Sequence, residues 1–191
     1  MPDDPANPVA LVTGAARRVG AVIARTLHGA GYDVALHYRS SRAELDVLIA
    51  ELESDRPDST LALQADLTDS ARLPSLIGET VARFGRLDAL VNNAAAFRPT
   101  PFGTVTAQQC DGFFATNARA PLLLAQAAAT HLKHSHGSIV NIVDIYAEKP
   151  LPDYMAYCVS KAALAMATRA LAQELGPDVR VNGVAPGNVL W

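Results

Sequence analysis

The clearest candidate for a catalytic pair lies in the stretch YCVSK, where Tyr157 and Lys161 are four residues apart. Within a helix this spacing puts the phenol and the ammonium group on one face. A neighbouring cation favours the phenolate, so we expect Lys161 to lower the pKa of Tyr157 and suit it to proton transfer near neutral pH. Such a pair is common by chance, and its meaning depends on the elements that position it.

A second candidate is the loop in LVTGAARRVG. Gly14 ends an apolar run, and Gly20 lies at the start of a helical pattern. A strand, a glycine-bearing turn and a helix form the setting in which a dinucleotide pyrophosphate meets the free N–H groups of a helix N-terminus. Arg18 stands where the usual three-glycine pattern has its middle glycine. The loop predicts a dinucleotide site, with an ordinary strand–helix turn as the alternative.

The end of the second apolar run predicts which dinucleotide binds. An acid there selects a free 2′-hydroxyl, whereas basic residues accept a 2′-phosphate. The chain has HYRSS at this place, and no acid follows until Glu44. Arg39 can pair with the phosphate and Ser40 can hydrogen-bond to it. We therefore predict NADPH/NADP as cofactor, with His37 also at the site; a solvated Arg39 is the alternative.

The next two apolar runs end in residues that suit the same site. Asp66 can accept from the adenine amino group, or it can cap the following helix, for which Asp69 is better placed. In NNAAA, the small Ala94 lets the backbone approach the cofactor closely, and Asn92 can hydrogen-bond within the loop that shapes the pocket. We therefore include Asp66, Asn92 and Ala94 among the cofactor-binding residues.

These loops are positioned by short apolar runs that alternate with long amphipathic ones. The predicted strands are Val9–Gly14, Asp33–Tyr38, Thr60–Asp66, Asp88–Ala94, Ser138–Asp144 and Val179–Gly187. The predicted helices are Val19–Gly31, Arg42–Asp55, Ser70–Phe84, Thr106–His131 and Tyr154–Leu175. This alternation is typical of a parallel sheet with right-handed crossovers and helices on both faces. The sequence predicts an α/β fold: a Rossmann-type, doubly wound parallel sheet in a single domain.

The amino-acid composition further limits the class of protein to which the chain can belong. Of 191 residues, 50% are hydrophobic and 18% are charged, and the formal net charge is −3. We expect a globular, cytoplasmic protein without a nucleic-acid or membrane partner, and without a bound metal. Residues 1–8 are expected to be a flexible N-terminus and residues 9–191 the NADP-binding and catalytic domain. Because the chain stops at Trp191 just after a sixth strand, we expect a C-terminal part that this sequence omits or that a truncated polypeptide lacks.

The combination of TGxxxxxG, NNAA, FFATN, YxxxK and a following PG resembles the short-chain dehydrogenase/reductase family from Val9 to Gly187. The resemblance implies that Tyr157 is the catalytic acid or base, that Lys161 lowers its pKa and holds the nicotinamide ribose, and that Asn117 supports a water relay. It also implies that Pro186 and Gly187 lie at the cofactor and that the protein is a homotetramer.

The family normally has a serine thirteen residues before the tyrosine, and this chain has Asp144 there. A serine donates to a developing oxyanion, whereas an ionised aspartate repels it. A carboxylate suits a nitrogen-rich ring, because it can accept from N–H groups or relay a proton to a ring nitrogen as hydride reaches the adjacent carbon. Asp144 therefore favours reduction of C=N over C=O, with a decayed active site or a misjudged register as the alternatives.

Several departures from the family pattern occur together and resemble its pteridine reductase branch. They are Arg18 in the phosphate loop, HYRS, NNAxAFxPTP and the aspartate in place of serine. The resemblance implies that Phe97 stacks on a pterin and that Arg18 lies between the pyrophosphate and the pterin edge. For Phe97 alone, a place in the core is the alternative. Ala95 stands where the branch often has a serine, which leaves the particular pterin open.

The predicted function is NADPH-dependent reduction of a pterin or folate. Asp144 and Tyr157 would deliver protons, and both would contact the substrate together with Arg18 and Phe97. One alternative is a short-chain carbonyl reductase of another substrate class. A second is a module that binds NADP as a sensor without catalysis.

Overall fold

Within residues 7–187, six short strands form one parallel sheet in the order β3-β2-β1-β4-β5-β6. Their bounds are β1 Val9–Val12, β2 Asp33–Tyr38, β3 Thr60–Gln64, β4 Ala89–Asn92, β5 Ser138–Ile142 and β6 Arg180–Val184. All six predicted strands are present. Most end earlier than predicted, because the residues at their carboxyl ends leave the sheet to form the loops described below.

In the described part of the chain, six α-helices connect the strands. Their bounds are α1 Arg18–Gly29, α2 Arg42–Asp55, α3 Leu73–Phe84, α4 Ala107–Phe114, α5 Ala120–His134 and α6 Met155–Leu175. The single helix predicted for residues 106–131 is instead α4 and α5, joined by a π-helical turn at Ala115–Arg119. The third helix begins at Leu73 rather than Ser70, because Pro74 favours the first turn of a helix.

Apolar side chains cover both faces of the sheet. On one face Leu11 and Leu90 pack against Leu76 of α3 and Leu124 of α5. On the other face the buried sheet residues pack against α1 and α2; this set includes Val12, Leu36, Val91, Ala21, Ala24, Leu45 and Leu48. The fold is therefore the predicted single-domain, doubly wound α/β sheet. The strand order reverses between β1 and β4, and such a switch point opens a crevice at the carboxyl ends of the strands.

The structure, a computed structural model, describes residues 7–187. The expectations for Trp191 and for most of residues 1–8 lie outside this range. Asn7 donates to the carboxylate of Asp33 at 3.2 Å, and the carbonyl oxygen of Pro8 accepts from the Asp33 N–H at 2.8 Å. Among the described helices, none combines the length and the apolar character that crossing a bilayer requires.

Candidate active site

The loops after β1 and β4 are joined at the switch point. The hydroxyl oxygen of Thr13 accepts from the N–H groups of Asn93 and Ala94 at 2.9 and 3.0 Å. The Asn93 amide donates in return to the carbonyl oxygens of Thr13 and Gly14 at 2.9 and 3.1 Å. These reciprocal bonds fix the first wall of the crevice.

Asn92 does not shape this loop as expected. It is the last residue of β4, and its buried side chain donates to the Asn141 side-chain oxygen on β5 at 2.8 Å. Successive residues of a strand face opposite sides of the sheet, so only one of the two adjacent asparagines can turn towards the loop. Asn93 does so, and the doublet NN was the available signal.

Packing explains both glycines of the phosphate loop. A Cβ on Gly20 would lie 2.1 Å from the Gly14 carbonyl oxygen and 2.7 Å from the Asn93 amide nitrogen. Gly14 has a φ of +64°, and a Cβ there would lie 3.0 Å from the Cα of Ala94. The absence of side chains lets three backbone segments meet closely, which is the geometry that a bound pyrophosphate requires.

Three cationic or hydroxylic candidates surround this loop. Arg18 is the first residue of α1, is exposed and has a φ of +52°. Arg39 and Ser40 are also exposed, just beyond the carboxyl end of β2. Within residues 7–187, neither Arg18 nor Arg39 has a carboxylate close enough for a salt bridge. Both guanidinium groups are therefore available to an anion at the mouth of the crevice.

Asp66 lies just after β3 and is exposed to the same edge. One of its carboxylate oxygens accepts from the N–H and the hydroxyl of Thr68, at 2.9 and 2.8 Å. These bonds hold the pKa of Asp66 below its usual value. Asp69 accepts from Ala71 N–H, so neither aspartate caps α3, whose N-cap is Arg72. The rival capping role weighed for these residues is therefore wrong.

The structure brings Tyr157 and Asp144 together at the carboxyl end of β5. The Tyr157 hydroxyl donates to Oδ2 of Asp144 in a short hydrogen bond. Oδ1 of the same carboxylate accepts from the N–H of Tyr146 at 2.9 Å and thereby caps the 3₁₀ turn Ile145–Ala147. The carboxylate is thus held on both sides, with its orientation set by the backbone.

The charge state of Tyr157 differs from the sequence-based expectation. Burial and the Asp144 carboxylate raise the pKa of the phenol, whereas we expected Lys161 to lower it. The Lys161 ammonium lies 6.0 Å from the Tyr157 ring centroid and donates to the Ile142 carbonyl oxygen at 2.7 Å. Burial lowers the pKa of Lys161 to about 8. In this structure Tyr157 is therefore a neutral proton donor.

The π-helical turn places Asn117 inside the protein, where it is 1% exposed. Its side chain accepts from the N–H of Ala96 at 2.8 Å and donates to the carbonyl oxygen of the same residue at 3.0 Å. It also donates to the Ser160 hydroxyl on α6 at 2.9 Å. Asn117 thus ties the loop after β4 to the helix that carries Tyr157, and π turns often mark functional positions.

The aromatic rings of Phe97 and Tyr154 form the wall beside Tyr157. The Phe97 ring stacks on the Tyr154 ring with centroids 4.6 Å apart and an interplanar angle of 19°. It meets the Tyr157 ring edge-on at 4.7 Å. Phe97 is 55% exposed, which leaves ring surface free for a flat ligand. Sequence reasoning missed Tyr154, although its position three residues before Tyr157, at the start of the predicted helix, was a usable signal.

The segment after β6 completes the described part of this edge. The carbonyl oxygen of Pro186 accepts from Ile145 N–H at 3.3 Å, so Pro186 lies beside the Asp144 turn, and Gly187 is exposed next to it. Among the described residues, no group of three or more His, Cys, Asp or Glu side chains is arranged to hold a metal ion.

The sheet order, the glycine-bearing crevice and the residues around Tyr157 define the class of an oxidoreductase built on a dinucleotide-binding α/β domain. The family model described as short chain dehydrogenase matches residues 8–190, and the chain belongs to this family. Members of the family use NAD(P)H. The free guanidinium groups and the space left by Gly14 and Gly20 fit such a cofactor.

Individual relatives differ in their named activity. The chain is 37% identical to pteridine reductase 1 of Leishmania tarentolae, in an alignment that covers 98% of this chain and 78% of that protein. It is 36% identical to an uncharacterized oxidoreductase of Methylorubrum extorquens, which covers 95% of this chain and 73% of the relative. It is 33% identical to the 3-oxoacyl-(acyl-carrier-protein) reductase of Staphylococcus aureus, with coverage of 95% and 74%.

Proposed function

We propose that this protein is an NADPH-dependent reductase of pterin-type C=N bonds. The observation that carries the proposal is the hydrogen bond between Tyr157 and Asp144 beside the exposed Phe97 ring. A proton donor, a carboxylate and an aromatic face then meet in one place. The 37% identity to a pteridine reductase supports the same substrate class.

The substrate chemistry follows from these groups. A pterin is a flat, nitrogen-rich heterocycle, and the free face of Phe97 suits stacking against it. The Asp144 carboxylate can accept from ring N–H groups, and Arg18 can interact with the electron-rich edge. An oxyanion next to the same carboxylate would be repelled, which disfavours a simple ketone.

Proton delivery belongs to Tyr157. Its raised pKa keeps the phenol protonated at neutral pH, and its hydroxyl shares a hydrogen bond with Asp144. When NADPH is bound it supplies a hydride to the substrate carbon. The ring nitrogen takes up a proton from the Tyr157–Asp144 pair, and solvent restores that proton. Lys161 and Asn117 hold the helix and loop around the pair through the bonds described above.

The preference for NADPH over NADH rests on the end of β2. Arg39 and Ser40 are exposed there, and no carboxylate of the described residues lies within salt-bridge distance of Arg39. Guanidinium and hydroxyl groups suit a 2′-phosphate. Gly20 and Arg18 would hold the pyrophosphate, and Gly14, which has no side chain, would leave room for it. Asp66 and Ala94 would lie beside the adenine and nicotinamide ends.

A carbonyl reductase is the second candidate function. Its support is the 33% identity to a 3-oxoacyl reductase, close to the value for the pteridine reductase. The two candidates differ at Asp144. A carbonyl reductase should tolerate or gain from a serine there, because serine donates to an oxyanion, whereas a pterin reductase should lose activity.

The test compares substrates and variants in one assay. NADPH oxidation is followed with a dihydropterin, dihydrofolate, a 3-oxoacyl thioester and simple ketones offered separately. Dihydropterin turnover that falls about 100-fold in both Asp144→Ser and Tyr157→Phe is the expected result. Asp178→Ser, an exposed acid before β6, is the matched control and should keep full activity. Turnover of ketones or the thioester alone, preserved in Asp144→Ser, would refute the pterin assignment.

We also propose a homotetramer, as the family commonly assembles into oligomers. Apolar side chains on the helices that follow β4 and β5 support it, because they are at least 42% exposed in the single chain: Phe114, Leu122, Val159 and Met166. Sedimentation velocity on the purified protein tests this state. A monomer at micromolar concentration would contradict it.

A further inference from the structure

We propose that His37 is a positioning residue for the cofactor, because its ring holds the phosphate loop after β1 and ties it to the loop after β3. The inference rests on membership of a family that uses NAD(P)H and does not depend on which substrate is reduced. His37 was expected at the cofactor as a contact residue. The structure gives its side chain a different place, beneath the loop.

The ring of His37 has a partner at each nitrogen. It is 2% exposed, Nδ1 accepts from the N–H of Gly14 at 3.1 Å, and Nε2 lies 3.2 Å from the carbonyl oxygen of Ala65. A backbone N–H can only donate and a carbonyl can only accept. The partners therefore require a neutral ring with its proton on Nε2. Burial lowers the pKa of His37 to about 4, which keeps the ring neutral at physiological pH.

The backbone of His37 holds the next residue of the same loop. Its carbonyl oxygen accepts from the N–H of Ala15 at 2.9 Å. Two successive loop amides are thus occupied by one residue of β2, so they cannot face a phosphate. The amides left to bind an anion are those that follow, towards the start of α1. His37 therefore decides which part of the loop presents its N–H groups.

The other side of the ring reaches the adenine end of the crevice. Ala65 directly precedes Asp66, and the Ala65 N–H donates to the carbonyl oxygen of Tyr38 at 3.1 Å. The ring bond to Ala65 adds a second anchor to this segment. One buried imidazole thereby fixes the distance between the pyrophosphate loop and the segment that carries Asp66. Loss of the ring should shift both ends of the dinucleotide site.

A matched control exists elsewhere in the chain. His28 on α1 is also 2% exposed, lies 2.8 Å from the Ser59 hydroxyl, and has its pKa lowered by burial. It lies near Asp33 and Arg56, at the amino ends of the strands and away from the crevice. Substitution of His28 removes a buried histidine bond without touching the cofactor site.

The experiment measures dissociation constants for NADPH and for NADH, which lacks the 2′-phosphate, by fluorescence titration. His37→Leu should weaken both about tenfold or more, because it leaves the Gly14 and Ala65 groups unpaired. His37→Asn should recover most of the affinity, since its side-chain oxygen can accept near the Nδ1 position. His28→Leu should bind both cofactors within about threefold of the parent protein.

Nitrogen-detected NMR of labelled histidine provides a second readout that needs no variant. His37 should remain a neutral Nε2–H tautomer at neutral pH, and its resonances should shift when NADH binds. Full affinity in His37→Leu, an equal loss in His37→Asn and His37→Leu, or a charged or Nδ1–H ring would each overturn the proposal. If the leucine variant fails to fold, the dissociation constants of His37→Asn and the tautomer of His37 measured by NMR still test the proposal. None of these measurements uses substrate turnover. Their outcome therefore does not depend on whether the proposed substrate is correct.

Discussion

Replacing Arg18 by glycine should stabilise the fold and weaken the cofactor site at the same time. Arg18 begins α1 with a φ of +52°, a region that favours glycine. Its side chain is exposed and makes no salt bridge within the described residues. No ion pair of the guanidinium therefore offsets the unfavourable backbone conformation. We read the arginine as a residue kept for its charge at a position whose backbone favours glycine.

The magnitude follows from two opposing effects. A non-glycine residue in the left-handed region is destabilised by about 1–2 kcal/mol. Glycine is disfavoured by roughly 0.5–1 kcal/mol through the freedom it gives the unfolded chain. Arg18→Gly should therefore be more stable than Arg18→Ala by about 0.5–1 kcal/mol. At an ordinary helix position the order is reversed, with glycine about 1 kcal/mol worse than alanine.

Urea unfolding of the ligand-free protein measures this difference. Val22, which is 53% exposed on the same helix, provides the matched pair, and Val22→Gly should be less stable than Val22→Ala. In a thermal scan each kcal/mol corresponds to about 2–4 °C for a chain of this size. Both Arg18 variants should bind NADPH about tenfold more weakly, since each removes the same charge. An alanine variant as stable as the glycine variant would refute the strain argument.

Three further outcomes are expected. Gly20→Ala should lower the unfolding free energy by about 1–3 kcal/mol, because the added Cβ meets a backbone carbonyl at 2.1 Å; unchanged urea midpoints would contradict the packing. Tyr154→Leu should raise KM for a flat substrate while leaving kcat within about threefold, because Phe97 loses its stacking partner; Tyr154→Phe is the control and should behave like the parent. Acid should destabilise the protein through His37, whose pKa is about 4 in the fold against 6.5 in the unfolded chain. That contribution is intact above pH 6.5 and falls by about 3 kcal/mol as the pH drops to 4; His37→Asn should flatten that part of the profile, and an identical pH dependence would show that another group is responsible.

Local patterns predicted the elements well because strands and helices have distinct periodicities. The run Val9–Val12 and the stretch Arg42–Asp55 appear in the structure at or within the predicted bounds. The π-helical turn at Ala115–Arg119 was not predicted, because it adds one residue between two segments that are each helical.

Side-chain direction was harder to predict than position. Asn92 and Asn93 are neighbours with the same chemistry, and the pleat of β4 decides which one reaches the phosphate loop. His37 stands at the predicted strand end, yet its ring turns under the loop to Gly14, 23 residues earlier in the chain. Such contacts join distant segments, so no local spacing encodes them.

The sequence by itself determined the doubly wound α/β fold, the glycine-bearing crevice and the membership in a family with a tyrosine and a lysine on one helix. Those properties follow from short-range patterns that constrain backbone geometry. Only the tertiary structure decided the electrostatics of the site. Burial of Tyr157 beside Asp144 raises the phenol pKa, where the neighbouring Lys161 alone had suggested the opposite. The physical reason is that desolvation and partner geometry depend on what surrounds a group in three dimensions.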